Sequence, residues 1–232
     1  MEHFLAGMFT PEWIAALSGI LLLDILLSGD NAIVIALACQ HLPEHHRRRA
    51  IFIGGFGAVF IRIICTLFAT SVLAAPYIEF VGGAALLYIA IKLLTEHNDS
   101  AKENDSSKSQ GFWAAVKTIL IADFIMSIDN ILSLAGVANT VPDGKWSLII
   151  CGLAISIPIV LFGAQVFLMI MLKMPALIYI GAAILGWTAA ELMTADKAVG
   201  IYLADYALII KVMAVGLVLS IGYYLNHRKK SA

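Results

Sequence analysis

Seven long apolar runs, at about 13–38, 50–73, 76–94, 113–138, 147–172, 175–194 and 201–225, take up most of this chain of 232 residues. A helix needs about 20 largely apolar residues to cross a bilayer's hydrocarbon core, and each run is near or above that length. Only 13% of residues are charged, about half the share a soluble domain uses to keep its surface wet. The sequence therefore predicts an all-α membrane protein with seven transmembrane helices, organised as a single transmembrane domain over 1–232. The extended polar stretch, Thr95 to Gln110, is rich in Ser, Asp, Asn, Lys and Glu and reads as a solvated linker. Met1 to Trp13 carries Glu2 and Glu12 but no Lys or Arg, so it lacks the basic start of a cleaved signal peptide, and the first helix is expected to be retained.

Orientation follows from the basic residues, which concentrate in cytoplasmic loops. In a seven-span arrangement one side takes Arg47, Arg48, Arg49, Lys102, Lys108, Lys117, Lys173, Arg228, Lys229 and Lys230, and the other only Lys145 and Lys197. This bias predicts an outside N-terminus and a cytoplasmic C-terminus. An even number of spans would separate Arg47–Arg49 from Arg228–Lys230.

A constant offset of 99 residues relates two parts of the chain. Asp24-Ile-Leu-Leu-Ser28-Gly-Asp30-Asn31 aligns with Asp123-Phe-Ile-Met-Ser127-Ile-Asp129-Asn130, and Pro76, Gly82 and Leu86 align with Pro175, Gly181 and Leu185. Repeat 1 covers about 13–94 and repeat 2 about 113–194, with a seventh helix at about 201–225. Each copy holds three spans, so the second must enter the membrane from the opposite side. A three-plus-three inverted repeat is a recurrent plan of secondary transporters, whose substrate sites lie at the repeat interface near mid-membrane.

The repeated motif carries ionisable groups into that region. Asp24 and Asp123 fall about eleven residues into their spans, near the bilayer centre at 1.5 Å rise per residue. Such residues generally face a partner or an ion path rather than lipid. On a regular helix Asp24, Ser28 and Asn31 share one face, as do Asp123, Ser127 and Asn130, whereas Asp30 and Asp129 point elsewhere unless the helix breaks. Ser28 and Gly29 permit a break in the first copy, but Ile128 takes the glycine's place in the second. Carboxylates, Asn carbonyls and Ser hydroxyls suit hard divalent cations such as Mn²⁺, Mg²⁺ or Ca²⁺. The competing reading is structural: the acids form buried ion pairs with Arg62 in the second span and Lys211 in the seventh that stabilise helix packing. A mixed reading, in which the two bases offset the acids when no metal is bound, is compatible with both. Lys92 and Glu191, near span ends, are expected to snorkel.

Other segments point to packing or solvation. The loop His41-Leu-Pro-Glu44-His45-His46 ahead of Arg47–Arg49 offers imidazoles to a metal, but it reads equally as a solvated loop that fixes topology. Glycines 54, 55, 57, 82 and 83 let helices approach closely. Cys39, Cys65 and Cys151 are far apart in apolar runs, without the spacing of a disulfide framework or zinc site. A net charge of -1 argues against nucleic acid as a partner. There is no phosphate-cradling Gly loop, no nucleophile motif and no GxGD signature of an intramembrane protease, so no enzymatic activity is expected. A retinal-binding role for Lys211 conflicts with the inverted repeat.

Leu26 to Ala38 (LLSGDNAIVIALA) and Ile125 to Ala138 (IMSIDNILSLAGVA), in the first and fourth spans, make the chain resemble the TerC family of integral membrane proteins in its short, seven-span form. The resemblance implies membership of a wider superfamily related to the LysE exporters and a role in metal-ion efflux, with manganese as the leading bacterial substrate. The family name refers to tellurium resistance, which does not identify tellurite as a substrate. The family's acidic motifs carry over to Asp24, Asp30, Asn31, Asp123, Asp129 and Asn130, with Ser28, Ser127, Arg62 and Lys211 as supporting residues. The resemblance also leads to the expectation that the regulatory cytoplasmic domains of longer relatives are absent.

The resulting expectation is a multi-pass protein of the bacterial cytoplasmic membrane that exports Mn²⁺, in exchange with H⁺ held by the empty acidic cluster. Mn²⁺ is then cargo, and no cofactor is implied. The alternative is a membrane partner that assists assembly or metal loading of exported proteins without moving ions. A homo-oligomer and a secretion-machinery partner are both left open.

Overall fold

A computed structural model describes residues 8–67, 75–95, 105–138, 140–141 and 144–230. Among the described residues every regular element is helical. The helices are α1 Pro11–Leu27, α2 Gly29–Cys39, α3 Glu44–Leu67, α4 Ile78–Thr95, α5 Asp105–Ala138, α6 Lys145–Lys173, α7 Ala176–Ala195, α8 Gly200–Leu203 and α9 Ala207–Lys230, with a 3₁₀ turn at Ala204–Tyr206 between the last two. Six helices are long and apolar enough to cross a membrane, and α1 with α2 forms a seventh span if the bent pair is counted as one. These correspond to the seven apolar runs.

Local chemistry sets several boundaries. Thr10 accepts the Trp13 backbone N–H on its hydroxyl at 3.2 Å, and Pro11 occupies the first turn, where its missing N–H has no intrahelical partner to lose. The first span breaks at Ser28, and the axes of Pro11–Ile25 and Gly29–Cys39 differ by 44°. The fourth span runs through its copy of the motif without a break. It also begins at Asp105, eight residues before the expected 113, so the end of the polar stretch taken as a linker is helical. Once a packed segment supplies the nucleus, extending a helix gains about one hydrogen bond per added residue. Residues 96–104 of that stretch lie outside the described residues.

Small residues bring the spans together. Gly54 and Gly57 of α3 face Ile119 and Leu120 of α5, and added Cβ atoms there would stand 2.8 Å and 2.7 Å from those side chains. Packing of this kind substitutes for the hydrophobic drive that is missing between helices in lipid. The closest approach to backbone is at Gly83 of α4, where a Cβ would collide with the Ala189 carbonyl oxygen of α7 and come within 2.6 Å of Met193 Cγ. Backbone cannot yield as a side chain can, so Gly83→Ala is expected to destabilise the protein by about 1–3 kcal/mol. Gly29→Ala, with nothing within 4 Å of the added carbon, is expected to change stability by no more than about 0.5 kcal/mol. Thermal unfolding of the two variants in the same detergent checks the contrast.

The α4–α7 pair is further tied by buried Asp196, just past the end of α7. Its carboxylate accepts the Phe80 backbone N–H of α4 at 3.2 Å, and those of Ala198 and Val199 at 2.9 Å and 3.1 Å. Burial pushes this carboxyl upward, but the backbone donors of Ala198, Phe80 and Val199 together outweigh it and hold Asp196 below the usual carboxylate range. A depressed folded-state value means the anion stabilises the fold above the unfolded value near 4, and that contribution fades as pH falls through the lower folded value. Asp196→Ala is thus expected to lose about 1–2 kcal/mol at neutral pH. Melting curves at descending pH are expected to show the gap to the intact protein narrowing below about pH 4.

Outside these contacts, α9 packs on α7 and α4 and leaves Leu208, Ile209, Val212 and Met213 exposed, an apolar face suited to lipid. At the opposite flank, buried Trp13 of α1 donates its indole N–H to Ser147 Oγ of α6 at 3.0 Å. That bond fixes one end of the first span against the fifth.

Candidate ion-binding centre

The two central carboxylates meet across one guanidinium. Arg62 of α3 donates from Nη1 to Asp24 Oδ1 of α1 at 2.9 Å and from Nη2 to Asp123 Oδ1 of α5 at 3.0 Å. Its Nε donates to Ser127 Oγ at 3.1 Å, and that hydroxyl donates onward to Asp123 Oδ2 at 3.2 Å. All four residues are buried. The planar fork of arginine suits a bridge between two carboxylates, which a lysine ammonium cannot span in the same way. The (i, i+4) spacing of Asp123 and Ser127 brings their side chains to one face of α5. Arg62 thus takes the place the structural reading gave it.

One guanidinium between two carboxylates leaves an excess of one negative charge. The first motif also carries unsatisfied polar atoms: Asp24 Oδ2, Ser28 Oγ, and both Oδ1 and Nδ2 of Asn31 are buried without a hydrogen-bond partner. Each such group costs about 1–3 kcal/mol unless something fills it. Three of the four are oxygens, the donor set expected for a hard cation. Asp123, Ser127 and Asn130, on the unbroken α5, are all buried, and so are Asp24, Ser28 and Asn31 although the helix breaks between them.

Asp30 stands apart from the bridge despite the break beside it. It sits in the first turn of α2, where its Oδ1 accepts the Asn31 backbone N–H at 3.0 Å and its Oδ2 accepts the Thr188 hydroxyl of α7 at 3.4 Å. The positive end of a helix favours a carboxylate there. The side chain of Asp129 lies outside the described ones. Among the described residues no three His, Cys, Asp or Glu side chains gather as a metal site. His45 and His46 meet edge-on, and His46 lies against Phe112. Cys39, Cys65 and Cys151 are free thiols.

Lys211 corrects the expectation that it offsets the central acids. Its ammonium pairs with Glu191 at 3.0 Å and lies 5.3 Å from the Trp187 ring centroid. The seventh span runs Gly200–Leu225 and keeps Lys211 within it, but its helix α9 packs on α7 and α4. Lys211, one turn past the first residue of α9, there meets Glu191, which is one turn from the end of α7. Glu191, expected only to snorkel, is its partner.

Two contributors had little sequence signal. Thr188, the donor to Asp30, aligns at the 99-residue offset with Ile89 and belongs to no repeated polar pattern. Ser156 of α6 lines a narrow recess with Gly55, Val59, Leu161, Arg62 and Asp123. A hydroxyl two residues before Pro158 inside an apolar run was the available hint.

The match to known proteins agrees with this architecture. The description Integral membrane protein TerC family matches residues 9–231. The chain is 35% identical to the membrane protein YjbE of Bacillus subtilis over 99% of its own length and 100% of that protein's. Identity to YkoY of the same organism is 32%, covering 73% of this chain and 56% of YkoY. Identity to the inner membrane protein YgdQ of Escherichia coli K12 is 26%, covering 56% of this chain and 61% of YgdQ. No solved structure matches the chain. With apolar spans along its length and a family match from end to end, this chain is a multi-pass cell-membrane protein that belongs to the TerC family.

Proposed function

We propose that the protein is a secondary transporter that exports divalent metal ions, with Mn²⁺ as cargo and H⁺ as the exchanged ion, and that it has no enzymatic activity. The observation that carries this reading is the buried centre between the first and fourth spans, where Asp24 Oδ2, Ser28 Oγ and Asn31 Oδ1 have no partner beside carboxylates held by Arg62. Oxygen donors of this kind suit hard divalent ions. The second motif supplies the opposing wall in this proposal through Asp123, Ser127 and Asn130, and Asp129 belongs to it by sequence.

The same reading takes the chain as a three-plus-three inverted repeat with α9 added, N-terminus outside and C-terminus cytoplasmic. Packing supports it. Exchanging the two halves converts the contact of α3 with α5 into that of α6 with α1 and α2, and maps the α4–α7 contact onto itself; all of these contacts are present. The repeats would then rock about the centre to expose it alternately on each side.

The test is flux into proteoliposomes. Intact protein is expected to move Mn²⁺ under an imposed pH gradient, with protons moving the other way. Cells lacking the protein are expected to accumulate manganese selectively. Absence of flux for any divalent cation, together with an unchanged cellular metal profile, overturns the proposal. Binding to secretion components without flux would favour a role in assembly or metal loading of exported proteins.

A further inference from the structure

We propose that Arg62 sets the charge threshold of this centre: it is a tethered cation that a divalent ion can displace and that Na⁺ and K⁺ cannot. The inference rests on the transport reading above and adds a specificity-determining residue to it. Arg62 is held by three hydrogen bonds, two of them to carboxylates on different helices. It therefore does for the empty centre what a bound cation would do.

Competition for that place depends on charge. A monovalent ion offers the carboxylates no more charge than the guanidinium already there. It must also replace an arginine that is covalently tethered beside them, at an effective concentration of millimolar or above. A divalent ion carries twice the charge, and its attraction to a pair of carboxylates scales accordingly. The unpartnered oxygens of Asp24, Ser28 and Asn31 add ligands the guanidinium does not use. The Ser156 hydroxyl, in the small recess beside Arg62, donates to the Leu153 carbonyl and keeps lone pairs free to accept from a guanidinium turned off the carboxylates.

The experiment is titration of purified full-length protein with MnCl₂, once in N-methyl-D-glucamine chloride and once in NaCl at matched ionic strength. Intact protein is expected to show affinities equal within about twofold in the two salts, because a tethered cation outcompetes a free one. Arg62→Gln is expected to bind Mn²⁺ about tenfold tighter or more in N-methyl-D-glucamine, since two buried carboxylates lose their counter-charge, and several-fold more weakly once Na⁺ is present. Arg62→Lys carries the test if the glutamine variant does not fold. Its ammonium keeps the charge without the fork, so Na⁺ stays excluded while Mn²⁺ affinity rises by a smaller factor. Unchanged or weaker Mn²⁺ affinity in the variants, or Na⁺ competition in the intact protein, overturns the inference while leaving transport standing. Failure of the intact protein to bind any divalent cation overturns both.

Discussion

Replacing Arg62 with leucine is expected to lower the unfolding free energy by about 3–5 kcal/mol, the usual consequence of leaving buried charges uncompensated. Asp24 and Asp123 are both buried and both depend on the same guanidinium, so one substitution strands two anions. The cause is separable from lost packing, because the triple change Asp24→Leu, Arg62→Leu and Asp123→Leu removes all three charges. Apolar replacement of a buried ionic cluster is often neutral or stabilising, so the triple variant is expected to recover most of the loss. Thermal or denaturant unfolding of both variants decides the matter. A triple variant as unstable as the single one would show that arginine's shape, and not its charge, supports the bundle.

The second large effect separates stability from transport. Asp24→Asn leaves the Arg62 contact an amide oxygen to use and brings the centre to one guanidinium against one carboxylate. Stability is therefore expected to hold or rise. Mn²⁺ flux, by contrast, is expected to fall about a hundredfold, since loss of one charged partner in a buried pair commonly costs 2–5 kcal/mol. Asp123→Asn is expected to lose flux similarly but to lose stability as well, because both of its carboxylate oxygens are engaged, by Arg62 and by Ser127. Flux in proteoliposomes set against melting temperature gives the comparison. Undiminished flux in either variant removes that residue from the transport mechanism.

Sequence periodicity located the spans because a bilayer imposes a length on them and a ban on unpaired backbone, and both leave a mark in composition. It located the buried stripe of Asp123, Ser127 and Asn130 because on an unbroken helix spacing alone decides which side chains share a face. The pairing of charges was less legible. Arg62 was a plausible partner simply as a base inside a span, but Lys211 had the same credentials and pairs with Glu191 instead. Which carboxylate a base reaches depends on where its helix starts and how the neighbouring helix is set against it, and neither is written in the local pattern. The same holds for Thr188, an ordinary hydroxyl until the packing of α2 and α7 brings it to Asp30. The break at Ser28 without a counterpart at Ser127 was visible as Gly29 against Ile128, a difference in one side chain that separates a bent span from a continuous one.

At the repeat offset the position of Arg62 is held by Leu161, which lines the same recess and whose side chain an added Cβ at Gly55 would strike. Under the proposed pseudo-two-fold arrangement, a dimer of identical half-length subunits would bring either two guanidiniums or none to its axis. Two would neutralise both carboxylates and crowd a space that here accepts a single fork, and none would leave the acids bare. An odd counter-charge at the axis is available only to a chain whose halves are fused and free to differ. Duplication followed by divergence at this one pair of positions would turn a symmetric shell into a centre with an unequal charge balance.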